Sequence, residues 1–129
     1  NNDGLYTTRV TSINGFFQNS DETLKDFQNE VEVDFTRLKN IPKVYYTWKD
    51  DTEKTLQIGT SAQKVNEVYP ELTTTDVDSG KMVLDYAKLS IIALKAIDTL
   101  HEENQLLRKE LEELKEKVNT KRTRRKKTE

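Results

Sequence analysis

A hydroxyl and an amine stand five residues apart in Ser20-Asp21-Glu22-Thr23-Leu24-Lys25. A serine hydroxyl is a weak nucleophile until a base takes its proton. No His or Cys lies near Ser20, and the single histidine, His101, is far along the chain. Lys25 is the local candidate for the base, since Ser–Lys pairs are a known variant of the serine nucleophile arrangement. A lysine serves as a base only after losing its proton. Its free pKa is about 10.4, and burial among apolar groups lowers that value. Leu24 and Phe27, or a neighbouring chain, would supply such a setting. Five residues place two side chains about 140° apart on one ideal helix. The pair therefore meets only if Ser20 precedes the helix and Lys25 reaches back. The same hexapeptide also reads as an ordinary helix start, with Ser20 or Asp21 as the cap and acids suited to the helix dipole. The two uses of Ser20 are compatible, and the hexapeptide alone leaves both open.

Other chemistry-bearing residues have plainer readings. Asp50-Asp51 sits in a polar turn, where a solvated role is commoner than a metal site. Ser61, before Ala62-Gln63, reads as a helix cap, and Tyr46 and Trp48 read as core or subunit-interface aromatics. The chain has no cysteine and one histidine, which removes disulfide and thiol chemistry and argues against zinc. No cofactor is implied.

The chain has 129 residues, of which 33% are hydrophobic and 34% charged. That is too polar for a wholly globular domain but normal for one that carries a long exposed helix. The net charge of −2 hides an asymmetry: residues 121–129 hold six basic side chains and one acid, hence +5, so the remaining 120 residues carry −7. Only this tail could meet a polyanion. No apolar run approaches the roughly 20 residues needed to span a bilayer, and no basic-then-apolar leader opens the chain. Its first residue is Asn rather than Met, as expected for a piece of a larger polypeptide.

The elements follow from periodicity. Residues 1–19 suggest a short strand around Tyr6–Ile13, with Leu5, Val10, Phe16 and Phe17 nearby and a turn at Asn14-Gly15. Residues 20–40 favour a helix through Leu24, Phe27, Val31, Phe35 and Leu38, although Val31 to Phe35 also alternates like a strand. Pro42 ends it. Val44 to Trp48 and Thr55 to Ile58 read as a hairpin. Residues 60–72 favour helix up to Pro70, residues 73–80 a loop, and Met82-Val83-Leu84 a short strand. Asp85 caps a long helix from Tyr86 to about Val118. This is an α+β chain: a small mixed domain with a short antiparallel hairpin, then a long C-terminal helix.

That helix carries a seam of Leu89, Ala93, Ala96, Leu100, Asn104, Leu107, Leu111, Leu114 and Val118, flanked mostly by Glu and Lys. Steps of three and four are a coiled-coil signature. The consecutive steps of four from Ala96 to Leu100 to Asn104 read as a stutter. Asn104 on the seam would fix register and oligomer number, without separating dimer from trimer. Lys121 to Lys127 is a basic run, either a solvated end or a contact for phosphate, nucleotide or nucleic acid. A leucine-zipper factor would carry its basic region before the zipper, so that likeness fails.

Taken in order, Ser20-Asp21-x-x-Leu24-Lys25, Tyr46-x-Trp48-Lys49, Ile58-Gly59, Ala62-Gln63, Tyr69-Pro70-Glu71-Leu72 and Asp85-Tyr86-x-Lys88-Leu89, followed by a coiled coil, resemble one family. It is the C-terminal intramolecular chaperone domain of phage tail spikes, tail fibres and neck appendages, the endosialidase type. The resemblance covers about residues 20–115. Thr23 departs from a common Arg and Lys64 from a common Glu, which bears on local salt bridges. The resemblance implies a homotrimer that folds the upstream fibre or spike domain of the same polypeptide and then cuts itself off. The cut falls between Asn19 and Ser20, with Ser20 and Lys25 as the catalytic dyad of a single-turnover serine endopeptidase. Residues 1–19 would then end the upstream fibre, 20–88 form the chaperone domain, 89–120 the trimeric coiled-coil helix and 121–129 the basic tail. The host cytoplasm during virion assembly is the implied location, and no membrane partner is implied. The alternative is a non-catalytic coiled-coil oligomerisation module, with polyanion binding through the basic tail.

Overall fold

The computed structural model describes residues 12–15 and 17–129. Residues 5–11 and Phe16, which bear most of the expected N-terminal strand, lie outside the described residues. At the expected turn, Ser12 Oγ donates to the Gly15 carbonyl at 2.8 Å, and Gly15 adopts the left-handed φ of 82° that glycine tolerates best.

The region 20–40 is not the helix its spacing suggests. A single 3-10 turn spans Glu22–Leu24, an extended arm follows, and only Phe35–Lys39 forms a helix, α1. The reason is a missing surface. Leu24 and Phe27 are 72% and 75% exposed, so their stripe packs on nothing, and short helices in water depend on such packing. Asp34 starts α1 by accepting from the Arg37 amide at 3.1 Å. Lys43 then closes its C-terminal end, donating to the carbonyls of Leu38 and Ile41 at 2.9 and 2.7 Å.

Strands β1 (Val44–Tyr46) and β2 (Gln57–Gly59) form the expected hairpin, pairing Val44 with Gly59, Tyr45 with Ile58 and Tyr46 with Gln57. Its turn is built on Asp51, whose carboxylate accepts from the amides of Glu53 and Thr55 at 3.1 and 2.8 Å. Helix α2 (Ala62–Val68) is capped by Ser61, which accepts from the Lys64 amide. Pro70 opens a second 3-10 turn, Pro70–Leu72. The expected loop then begins with a strand: β3 (Thr73–Thr75) pairs antiparallel with β4 (Met82–Leu84). Three β-branched threonines suit a strand, but they carry no hydrophobic alternation to announce it.

Asp85 caps α3 by accepting from the Lys88 amide at 3.2 Å. This helix runs from Tyr86 to Thr128, 43 residues, or about 65 Å at 1.5 Å per residue. It passes Val118 without a break and includes the basic run. The chain is thus α+β, two short hairpins and small helices beside one long helix. The core is small: Ile41, Val65, Tyr69, Leu72 and Ile92 are buried, with Leu38, Val68, Leu84 and Leu89 packed around them. Ile92 is the buried residue of α3 and fixes the root of the helix to the body.

Candidate functional site

Ser20 lies just outside the 3-10 turn that precedes Lys25. Asp21 is the cap, in extended conformation, and its carboxylate accepts from the Thr23 amide at 2.9 Å and the Thr23 hydroxyl at 2.7 Å. The Thr23 hydroxyl, then its amide, holds the Asp21 carboxyl below the usual range. The Lys25 amide donates to the Glu22 carbonyl at 3.1 Å, closing the turn. Lys25 itself is extended, and its side chain turns back. Its ammonium donates to Ser20 Oγ at 2.6 Å and to the Ser20 carbonyl at 3.0 Å. The spatial condition set by sequence spacing is thereby met: the hydroxyl and amine touch because they do not share a regular helix. Both residues are exposed in the single chain.

Asn19, on the other side of the Asn19–Ser20 bond, accepts through Oδ1 from the Asp21 amide at 3.3 Å. Gln63 is engaged at its own helix start, where Oε1 accepts from Ser61 Oγ at 3.4 Å.

Two contacts that sequence reasoning missed tie the Ser20–Lys25 arm to the body. Lys95 on α3 pairs with Glu30 at 2.5 Å. The hydrogen-bonded pairing lowers the Glu30 carboxyl and raises the Lys95 ammonium from their ordinary values. The Tyr69 hydroxyl donates to the Glu32 carbonyl at 3.1 Å. Desolvation raises the Tyr69 hydroxyl, Glu71 adding to the effect. The paired residues are 65 and 37 positions apart, beyond the reach of any local pattern.

A family comparison matches this segment. Residues 20–74 match the model of the Peptidase_S74 family, described as chaperone of endosialidase. The matched segment starts at Ser20 and carries the arm, α1, the first hairpin, α2 and β3; β4 and α3 lie beyond it. No curated protein matches the chain significantly.

The seam residues of α3 fall into two groups. Leu89 packs against the core of the body, and Ala96 is half-buried. Ala93, Leu100, Asn104, Leu107, Leu111, Leu114 and Val118 are exposed, as is Ile97, which the sequence seam omitted. The basic residues 121, 122, 124, 125, 126 and 127 are exposed on a helix. At about 100° per residue they surround it rather than forming one stripe. No described helix is long and apolar enough to cross a membrane.

Proposed function

We propose that this chain is an intramolecular chaperone that trimerises through α3, guides the folding of an upstream phage fibre or appendage domain, and releases itself by cutting Asn19–Ser20. The observation that carries the proteolytic half is the 2.6 Å contact between Lys25 Nζ and Ser20 Oγ.

The chemistry runs through the pair. Lys25, as neutral amine, takes the proton from Ser20 Oγ. The oxygen attacks the Asn19 carbonyl carbon, forming a tetrahedral oxyanion that backbone amides must stabilise. The C–N bond breaks, and Lys25 returns the proton to the departing Ser20 nitrogen. Water then hydrolyses the ester, leaving an Asn19 carboxylate and a free Ser20 amine and hydroxyl. Burial favours the neutral amine of a lysine. Because the pair is exposed in one chain, cover from neighbouring copies or from the folded upstream domain would make it competent. Cutting is thereby coupled to assembly.

Mass spectrometry of a precursor that includes the upstream domain tests this reading. A fragment starting at Ser20, absent in Ser20→Ala and Lys25→Ala, is expected. An uncut precursor under assembling conditions would leave only a non-catalytic oligomerisation module.

A further inference from the structure

The exposed face of α3 has one unbroken register once the residues facing the body are set aside. With Leu89 packed on the core and Ala96 half-buried, the outward seam passes through Ala93 and Ile97 instead. Ile97, Leu100, Leu107, Leu111, Leu114 and Val118 are each at least 44% exposed. Together with Asn104 between Leu100 and Leu107, they step by three and four alternately, with no stutter. In heptad terms Ile97, Asn104, Leu111 and Val118 take position a, and the three leucines at 100, 107 and 114 take d.

This register assigns the flanks. Glu103 and Glu110 fall at g; Arg108 and Lys115 fall at e of the following heptads. In a parallel, aligned pair, g of one helix meets the next e of its neighbour. Glu103 then faces Arg108 and Glu110 faces Lys115 of the other copy. In an antiparallel pair, e meets e, and Arg108, Lys115 and Arg122 oppose one another. Lys115 bonds Glu112 within its own helix at 3.1 Å, and an ammonium has donors for a second acid.

The charges fix direction but not alignment, since a slip of one heptad still places Glu103 opposite Lys115. Asn104 fixes alignment: a slip sets its amide against Leu111, where it is buried without a partner. The code ends after Val118. Lys117 at g would meet Arg122 at e, and the next seam positions are Lys121 and Arg125, so like charges oppose closure there.

We infer that the exposed seam of α3 binds further copies of this chain in parallel and without offset, the Glu103–Arg108 and Glu110–Lys115 pairs setting direction, Asn104 setting register, and Lys121 and Arg125 ending the association. The inference rests on the assembly half of the proposed function and adds the recognition rule. It holds for two strands or three, because g and e join neighbouring helices in both.

The chain has no cysteine, so introduced thiols report alignment. Full chains carrying Leu100→Cys, Leu107→Cys or Leu114→Cys are oxidised singly and in pairwise mixtures. Same-site links are expected, and Asn104→Leu should admit 100–107 links. Dominant 100–114 links, meaning an antiparallel pair, overturn the inference. In sedimentation equilibrium, Glu103→Arg with Glu110→Arg should weaken self-association at least about tenfold. An equimolar mixture with the Arg108→Glu, Lys115→Glu chain should restore it. Unchanged association, or no rescue, overturns the pairing rule while leaving precursor cutting and assembly standing. A chain that stays monomeric overturns both this inference and the assembly half of the proposed function.

Discussion

The Lys25 ammonium sits 2.6 Å from the Ser20 hydroxyl, and the residues between them form one 3-10 turn rather than a regular helix. The contact distinguishes a base from a mere charge. Lys25→Arg retains a cation that can reach Ser20, but a guanidinium does not lose its proton in proteins. Precursor carrying Lys25→Arg should therefore remain uncut, its cleavage rate lower by at least about 10³-fold. Intact-mass measurement over time checks this. A Ser20-initiated fragment forming at an undiminished rate would make the lysine a positioning cation instead of the base.

Gly59 is where the first hairpin meets α3. A Cβ there would lie 2.7 Å from the Tyr86 hydroxyl and 2.8 Å from a Tyr46 ring carbon. The same Tyr86 hydroxyl accepts from the Thr60 amide at 3.3 Å, so moving the ring aside breaks a bond. Gly59→Ala should cost about 1–3 kcal/mol, read as a lower urea midpoint of the full chain. Adding Tyr86→Phe should recover part of the loss, because it removes one of the two obstructions.

The Glu30–Lys95 pair gives the arm a pH window. The Glu30 carboxyl is lowered from its ordinary 4.5, so its contribution is present above that value and is lost as pH falls through the depressed one. The Lys95 ammonium is raised from its ordinary 10.5, so its contribution is present below that value and is lost as pH rises through the elevated one. The fastening should therefore be intact between about 4.5 and 10.5 and should weaken in salt, since an exposed pair is screened. Limited proteolysis of residues 25–34 checks this. Glu30→Gln should speed arm cleavage at pH 7 and make it independent of acidification.

The caps at Ser61 and Asp85, the first hairpin and the start of α3 were all legible, because each rests on local chemistry: a side-chain oxygen before an apolar run, or β-branched and aromatic residues around a polar turn. The helix expected over 20–40 was not formed, because Leu24 and Phe27 keep helical spacing but find no surface in the single chain. The Thr73–Thr75 strand lacked alternation and is held by its partner β4. On α3 the difficulty was different. One helix carries two faces, Leu89 and Ile92 toward the body and Ile97 and Leu100 outward, and at the root of the helix the two patterns overlap. The burial of Ile92 and the packing of Leu89 on the core separate them. The five-residue spacing of Ser20 and Lys25 stated a condition for contact, whereas the Glu30 and Tyr69 fastenings depend on the fold alone.

That separation makes the two faces of α3 independently testable. Ile92 is 5% exposed and one of five buried hydrophobic residues among those described, so its truncation opens a cavity in a core too small to absorb it. Ile92→Ala should cost about 2–5 kcal/mol, a large share of the stability of a small domain. The seam follows a different line along the helix and does not use Ile92. The variant should therefore lose cooperative unfolding of the body, seen in the Trp48 fluorescence, while α3 keeps its helical circular dichroism at associating concentrations. Leu107→Ala should do the reverse, leaving the fluorescence transition in place and raising the concentration needed for association. If both substitutions lower both signals in parallel, body and seam form one cooperative unit, and the division of α3 into two faces is not an energetic one.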